Sequence, residues 1–207
     1  MPGKTRPSTP RPLILASGSR YRRELLARLC QPFEVAAADI DETALPGETP
    51  ATTACRLAIA KARAVAARYG EALVIGSDQV ADAGGIALSK PGSHDAAVAQ
   101  LTMLSGRRIV FHTAVALIDA ASKRCQLRLV DVASTFRRLD PQAIESYLRR
   151  EQPYDCAGAV KSEALGIALF ERIESDDPTA LIGLPLIALV DLLATEGVDV
   201  LGDAAAG

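Results

Sequence analysis

Segments with strand and helix patterns alternate along most of the 207-residue chain, and this alternation limits the possible fold more than any other feature. In the first part of the chain, short apolar, β-branched runs predict strands at 12–17, at 33–38 and from Leu73 to a carboxyl end at about Asp78. Apolar residues at helical spacing predict helices from Ser19, a candidate N-cap, to about Cys30, and over about 52–69. Alternation of this kind is typical of an α/β protein.

The second half of the chain continues the pattern with longer strands. Two β patterns over 108–118 and 126–137 predict an antiparallel pair, and a further strand is predicted over 165–173. Residues 83–85 read as a hairpin turn, and helices are predicted from Ser93 to near Gly106, after Asp140 through Leu148, and over 185–193. We therefore predict one α/β domain of two intimate lobes over 12–195, with a flexible tail at 1–11 and a second tail at 196–207.

Composition excludes several classes of function. A formal net charge of -2 gives no general surface for polyanions, so nucleic-acid polymers are not expected partners. No apolar run approaches the roughly 20 residues that span a bilayer, so no membrane partner is expected. The two histidines are too few for a histidine-rich zinc site, and the four widely spaced cysteines are typical of reduced thiols in a cytosolic protein.

The segment Leu73-Val-Ile-Gly-Ser-Asp-Gln-Val80 carries the first candidate for chemistry. Gly76 and Ser77 interrupt an apolar run, which places Asp78 at the predicted carboxyl end of a buried strand. Ligands of open α/β sheets bind at that edge. From spacing alone, Asp78 is a helix cap, a surface residue or a reacting group.

Basic residues indicate where an anion would bind. Lys61 lies on the apolar stripe of the second helix, where its ammonium either reaches an anion site or extends along the core to water. The small residues Ser17, Gly18 and Ser19 precede a helix start that carries several arginines. Such a turn offers hydroxyl and backbone donors to negative charge. Lys90, before Pro91, adds a cation in a rigid loop.

Taken together, the motifs resemble the Maf family of nucleoside triphosphate pyrophosphatases. The resemblance runs from Leu13 to about Leu193 and is carried by Ser17-x-Ser19-x-x-Arg22-Arg23, Arg56-Leu-Ala-x-x-Lys61-Ala, Gly76-x-Asp78, Lys90-Pro91, Leu104-Ser-Gly106, Ala157-Gly158 and Gly183-Leu-Pro185. It implies an elongated α/β fold with a mixed central sheet, flanking helices and a cleft, related to inosine triphosphatases. It also implies cleavage of a nucleoside triphosphate to monophosphate and pyrophosphate with magnesium or manganese, in the cytoplasm, by a possible homodimer.

Within the family, the motifs resemble the 7-methyl-GTP pyrophosphatase subfamily. These motifs are Gly76-Ser-Asp-Gln79, Cys156-Ala-Gly-Ala-Val-Lys-Ser-Glu163 and Phe170-Glu-Arg172. The branch that acts on dTTP and UTP usually has Thr, Lys and Gln at the positions of Gln79, Cys156 and Glu163, and His at that of Ile109. Arg20 departs from the family pattern, which often has proline at that position.

The resemblance and the charge of a triphosphate together assign the candidate site. Asp78 matches the family's proton acceptor, and a hard divalent ion would prefer the carboxylates of Glu42 and Asp78. Phosphate-binding candidates are Ser17, Ser19, Arg22, Lys61 and Lys90. Tyr21, Gln79 and Glu163 are the candidates that select the base. Two other functions stay open: the same chemistry on dTTP or UTP, and a nucleotide-binding regulator of cell division with little turnover.

Overall fold

The computed structural model describes residues 11–202. Its strands are β1 (Leu13–Leu15), β2 (Phe33–Val35), β3 (Leu73–Asp82), β4 (Ala87–Leu88), β5 (Arg108–Asp119), β6 (Cys125–Phe136) and β7 (Phe170–Glu174). Its α-helices are α1 (Arg20–Ala27), α2 (Pro50–Ala66), α3 (His94–Leu104), α4 (Pro141–Glu151) and α5 (Leu186–Thr195). Short 3₁₀ helices cover Ala157–Ala159, Leu165–Leu169 and Ala180–Ile182. The predicted α/β class is confirmed.

One mixed sheet organises these elements in the order β2-β1-β3-β5-β6-β7, with β4 paired to the end of β3. The strands β2, β1 and β3 run parallel to one another. The pairs β3–β5, β5–β6 and β6–β7 are antiparallel. The predicted β5–β6 pair is therefore confirmed, with Ile118 opposite Cys125 beside the turn. Hydroxyl and carboxylate caps begin the helices as predicted, since Ser19, Ser93 and Asp140 each accept a bond from the first helical turn.

Helix α2 packs on one face of the sheet, and this contact positions much of the site. The apolar face of α2, which includes Ala58, Ala62 and Val65, is fully buried against the sheet. Gly76 makes the close approach possible, because a Cβ there would lie 2.2 Å from the Ala58 carbonyl oxygen. The opposite face is covered by α1 and α5, and a third apolar cluster lies between α3, α4 and the far part of the sheet.

Two strand predictions were wrong. Strand β3 does not end at about Asp78, as predicted, but continues to Asp82, because β5 pairs with it along its whole length. Gly76 and Ser77 therefore lie inside the strand. The predicted strand over 165–173 begins only at Phe170, since Leu165–Leu169 forms a 3₁₀ helix. The residues of this 3₁₀ helix are apolar because Leu169 is buried and Leu165 packs against the core, and not because they form a strand.

Contacts at the margins of the predicted domain involve residues assigned to the tails. Arg11 pairs with Asp119 and Glu196, each at 3.2 Å, and Val198 packs against the apolar cluster beneath α5. The predicted tail residues 1–10 and 203–207 lie outside the described residues. The division at 12 and 195 stays a prediction. Within residues 11–202, no helix combines the length and hydropathy that crossing a membrane requires.

Candidate active site

The main cavity lies where the middle of β3 has no neighbouring strand along one of its edges. Strand β1 pairs with β3 only as far as Ile75, and β4 joins the same side at Ala81. A cavity of about 550 Å³ lies at this gap. Its walls come from the β1–α1 turn, the acidic loop before α2, the segment 155–163 and the turn at 181–183.

The gap gives one cavity access to both faces of the sheet. Side chains of successive strand residues point to opposite faces. Asp78 points toward α2, where it bonds Lys61, and Gln79 points toward the carbonyls of Ala180 and Leu181. Groups from the two faces therefore meet at the open edge of β3.

Lys61 brings two carboxylates together. Its Nζ lies 2.7 Å from Asp78 Oδ1 and 2.9 Å from Glu42 Oε1. Lys61 and Asp78 are almost fully buried, with side chains 8% exposed, whereas the Glu42 side chain is 52% exposed. The ammonium does not extend to open water; it is held between two anions. One cation can thus be shared by Glu42 and Asp78.

The acidic loop that carries Glu42 is fixed by Arg56 of α2. The guanidinium donates from Nε to Glu48 Oε1 at 2.5 Å, from Nη2 to Glu48 Oε2 at 2.8 Å, and from Nη2 to the Thr43 carbonyl at 2.9 Å. These bonds lower the pKa of Glu48 to about 2, with the Arg56 bond as the largest cause. Arg56 thereby ties the residue next to Glu42 to the helix that carries Lys61.

The β1–α1 turn presents a cation and hydroxyls to the cavity. Arg22 donates from Nε to the Gly183 carbonyl at 2.8 Å, and its Nη1 lies 3.5 Å from Ser17 Oγ. Burial lowers the pKa of Arg22, while Asp78 and Glu42 act in the opposite direction. Arginine stays charged at neutral pH even so. Ser19 caps α1 through its bond from Arg22 N at 3.4 Å.

Comparison of the sequence with models of known protein families identifies the family. The profile of the Maf-like proteins matches residues 12–196, which is most of the chain.

This chain belongs to the Maf family.

Several curated relatives align with this chain along most of their length, and each of the three described here carries the name 7-methyl-GTP pyrophosphatase. The protein of Thiobacillus denitrificans is 60% identical over 189 residues, 91% of this chain and 94% of the relative. That of a Polaromonas species is 58% identical, over 94% of this chain and 89% of the relative. That of Albidiferax ferrireducens is 56% identical, over 93% and 96%.

All but one of the residues predicted from the Maf motifs line the cavity. They are Ser17, Ser19, Tyr21, Arg22, Glu42, Lys61, Gln79, Lys90 and Glu163. Asp78 is the exception, since it lies behind the Lys61 ammonium and outside the cavity wall. Among residues 11–202, no three His, Cys, Asp or Glu side chains gather into a metal-binding group. Of the predicted ligands, Glu42 and Asp78 are joined only through Lys61.

The other two candidates for base contact, Tyr21 and Glu163, differ in exposure. Glu163 is exposed at the cavity, and Tyr21 is half-buried. The Arg20 guanidinium, which stands where the family often has proline, lies 4.7 Å from the Tyr21 ring centroid and bonds its hydroxyl at 2.8 Å. Burial raises the pKa of Tyr21 to about 12, so the ring carries a neutral phenol.

The predicted contact of Gln79 with the base stays a prediction, and the structure shows which atom of its amide could make it. We predicted that it supplies its amide to the base, but its Nε2 already faces the carbonyl oxygens of Ala180 at 2.9 Å and Leu181 at 3.0 Å. A third partner of the same nitrogen, Thr113 Oγ1, lies at 3.0 Å. The amide hydrogens are therefore used within the protein, which leaves the carbonyl oxygen Oε1 for a ligand.

Three polar residues behind the site were missed from the sequence. Thr113 and Ser77 are fully buried, and Asp177 is 2% exposed. Ser77 donates to the Gly183 carbonyl, the same oxygen that accepts from Arg22. A usable signal existed only for Thr113, a polar residue on the otherwise apolar alternation of β5.

Proposed function

We propose that this protein hydrolyses a nucleoside triphosphate to the monophosphate and pyrophosphate, and that 7-methyl-GTP is its substrate. The observation that carries the proposal is that one cavity is lined by cations, by the carboxylate of Glu42 and by two hydrogen-bond acceptors, with Asp78 directly behind the Lys61 ammonium. The names of the relatives at 54–60% identity support the proposal, because their alignments cover 91–95% of this chain.

The phosphates would bind along the wall formed by the β1–α1 turn, Lys61 and Lys90. A triphosphate carries about four negative charges near neutrality, and electrostatic stabilisation of those oxygens is the main task of such a site. Arg22 is pre-oriented by its bond to the Gly183 carbonyl at 2.8 Å. Lys90 is exposed on the cavity wall, so it can follow a moving phosphate as a point charge.

A magnesium or manganese ion fits the carboxylates of Glu42 and Asp78. Both are hard oxygen donors, and both already contact one cation, the Lys61 ammonium. The remaining ligands would come from phosphate oxygens and water. When bound, the ion would neutralise phosphate charge and lower the pKa of a coordinated water.

Asp78 would hold the proton of the attacking water. Its Oδ1 accepts from Lys61 at 2.7 Å, so a water would approach the remaining lone pairs of the carboxylate or take the place of the ammonium after it shifts. Phosphate oxygens provide the reason for such a shift, because they compete for the same ammonium. Because metal coordination lowers the basicity of a carboxylate, the two roles of Asp78 are coupled.

Hydrogen-bond acceptors of the protein would select the base of the nucleotide. The 7-methyl group makes guanine cationic, and the reading edge of the ring presents donors. Glu163 can accept from that edge and offset the positive ring, and Gln79 Oε1 adds a second acceptor. Tyr21 would stack on the cationic ring, a contact worth roughly 0.5–2 kcal/mol.

The cytoplasmic location and the homodimer expected from the family belong to the same proposal.

Product analysis tests the reaction class. The protein is incubated with 7-methyl-GTP, GTP, UTP and dTTP, with magnesium or manganese and with chelator. We expect orthophosphate to appear only after inorganic pyrophosphatase is added, and chelator to abolish the signal. Direct release of orthophosphate as the first product would refute the assignment. Preference for UTP or dTTP would support the other Maf branch, and binding without turnover would support the regulator.

A further inference from the structure

The amide of Gln79 has a defined orientation, set by groups far away in sequence. Its nitrogen lies within 3.0 Å of three acceptors: the Ala180 carbonyl, the Leu181 carbonyl and Thr113 Oγ1. Backbone carbonyls can only accept hydrogen bonds. Reversing the amide would place Oε1 against two carbonyl oxygens, so NH2 must face the turn and Oε1 the other way.

Thr113 reinforces this orientation through its single hydroxyl hydrogen. The hydroxyl donates to the Ala180 carbonyl at 2.9 Å. Because its one hydrogen is used there, the hydroxyl oxygen can only accept from Gln79. Thr113 is fully buried and does not line the cavity, so water does not compete for either bond. A threonine at this position therefore favours one of the two amide orientations.

The turn that supplies the carbonyls is itself held firmly. The buried Asp177 carboxylate accepts from Thr179 N at 3.0 Å, from Thr179 Oγ1 at 2.7 Å and from Ile187 N at the start of α5 at 2.7 Å. The Gly183 carbonyl at the end of the turn accepts from Ser77 of β3 at 2.9 Å. The carbonyls of the turn are thus fixed relative to β3.

We propose that Thr113 is a positioning residue that, with the two turn carbonyls, holds Gln79 so that its carbonyl oxygen faces the nucleobase. This inference rests on the proposed function and adds a rule for the substrate. The site then presents acceptors from both Gln79 and Glu163, so it selects bases with donors on the reading edge. Guanine offers N1–H and the 2-amino group, whereas uracil and thymine place carbonyl oxygens on both sides of N3–H. Acceptors facing those oxygens would repel them.

Steady-state kinetics test the role of Thr113 in base choice. Thr113→Val removes both hydroxyl bonds with little change of shape, and Thr113→Ser is the matched control that keeps the hydroxyl. We expect Thr113→Val to lower the ratio of kcat/KM for 7-methyl-GTP to that for UTP about threefold to tenfold, the range for one neutral hydrogen bond. Thr113→Ser should stay within about twofold of the wild type.

A double-mutant cycle separates positioning from stability. If Thr113 acts through Gln79, Thr113→Val should leave the nucleotide ratio unchanged in a Gln79→Ala background. Equal losses on both nucleotides, or the same change of ratio without Gln79, would overturn the proposal.

A measurement independent of turnover completes the test. The side-chain NH2 signals of Gln79, assigned in a ¹⁵N spectrum by their loss in Gln79→Ala, should be protected from hydrogen exchange in the wild type and less so in Thr113→Val. Exchange in the wild type as fast as in a free glutamine side chain would refute the orientation. If the wild type released no pyrophosphate from 7-methyl-GTP, the proposed function would fail, and the NMR experiment would still decide the orientation of Gln79.

Discussion

Gly76→Ala tests whether the close contact between α2 and β3 positions Lys61 against Asp78, the proposed proton acceptor. The added Cβ would lie 2.2 Å from the Ala58 carbonyl oxygen and 2.7 Å from Ala62 N, both backbone atoms of α2. Ordinary contact begins at 3.4 Å, so the helix must move by about 1.2 Å. If α2 moved by this amount along the line from Lys61 Nζ to Asp78 Oδ1, the distance between these two atoms would increase from 2.7 Å to about 3.9 Å. That distance is beyond hydrogen-bond range.

The stability cost of this substitution follows from overpacking, which destabilises by about 1–3 kcal/mol. A chain of this size loses about 2–4 °C in Tm per kcal/mol, so we expect Tm to fall by roughly 2–12 °C. Thermal unfolding followed by circular dichroism measures this, and pyrophosphate release measures the displacement of Lys61. Gly70→Ala is the matched control, because a Cβ there meets nothing within 4 Å. An unchanged Tm and unchanged kcat for Gly76→Ala would refute the reasoning.

Three further outcomes are expected. Asp78→Asn should fold and lose about 100- to 10,000-fold in kcat, as measured by pyrophosphate release; near-normal turnover would make Asp78 a structural residue. Glu163→Gln should lower kcat/KM for 7-methyl-GTP far more than for UTP or dTTP, and equal losses would exclude a role in base choice. Because the folded pKa of Glu48 is depressed to about 2 from 4.5, its stabilisation is present above pH 4.5 and lost as the pH falls toward 2. Unfolding of Glu48→Gln, followed by urea titration across that window, should therefore depend less on pH than unfolding of the wild type.

The sequence by itself determined the local elements and the membership of the site. Ser19, Ser93 and Asp140 begin helices because a capping side chain bonds amides only a few residues away. The β5–β6 pair was predictable for a similar reason, since its strands adjoin one short turn. The Maf motifs selected the residues that line the cavity because each motif carries a short, ordered set of functional groups.

Only the tertiary structure decided how those groups face one another. Asp78 lies within a strand because β5 continues to pair with β3 beyond the end of β1, which no local pattern in 73–80 encodes. Gly76 is required by a helix packed across the sheet, and not by a turn. The amide of Gln79 is oriented by carbonyls 101 and 102 residues away. Hydrogen-bond partners so distant in the chain are set by packing. The sequence therefore named Gln79 as a candidate for contact with the base, while the fold decided how its amide is oriented.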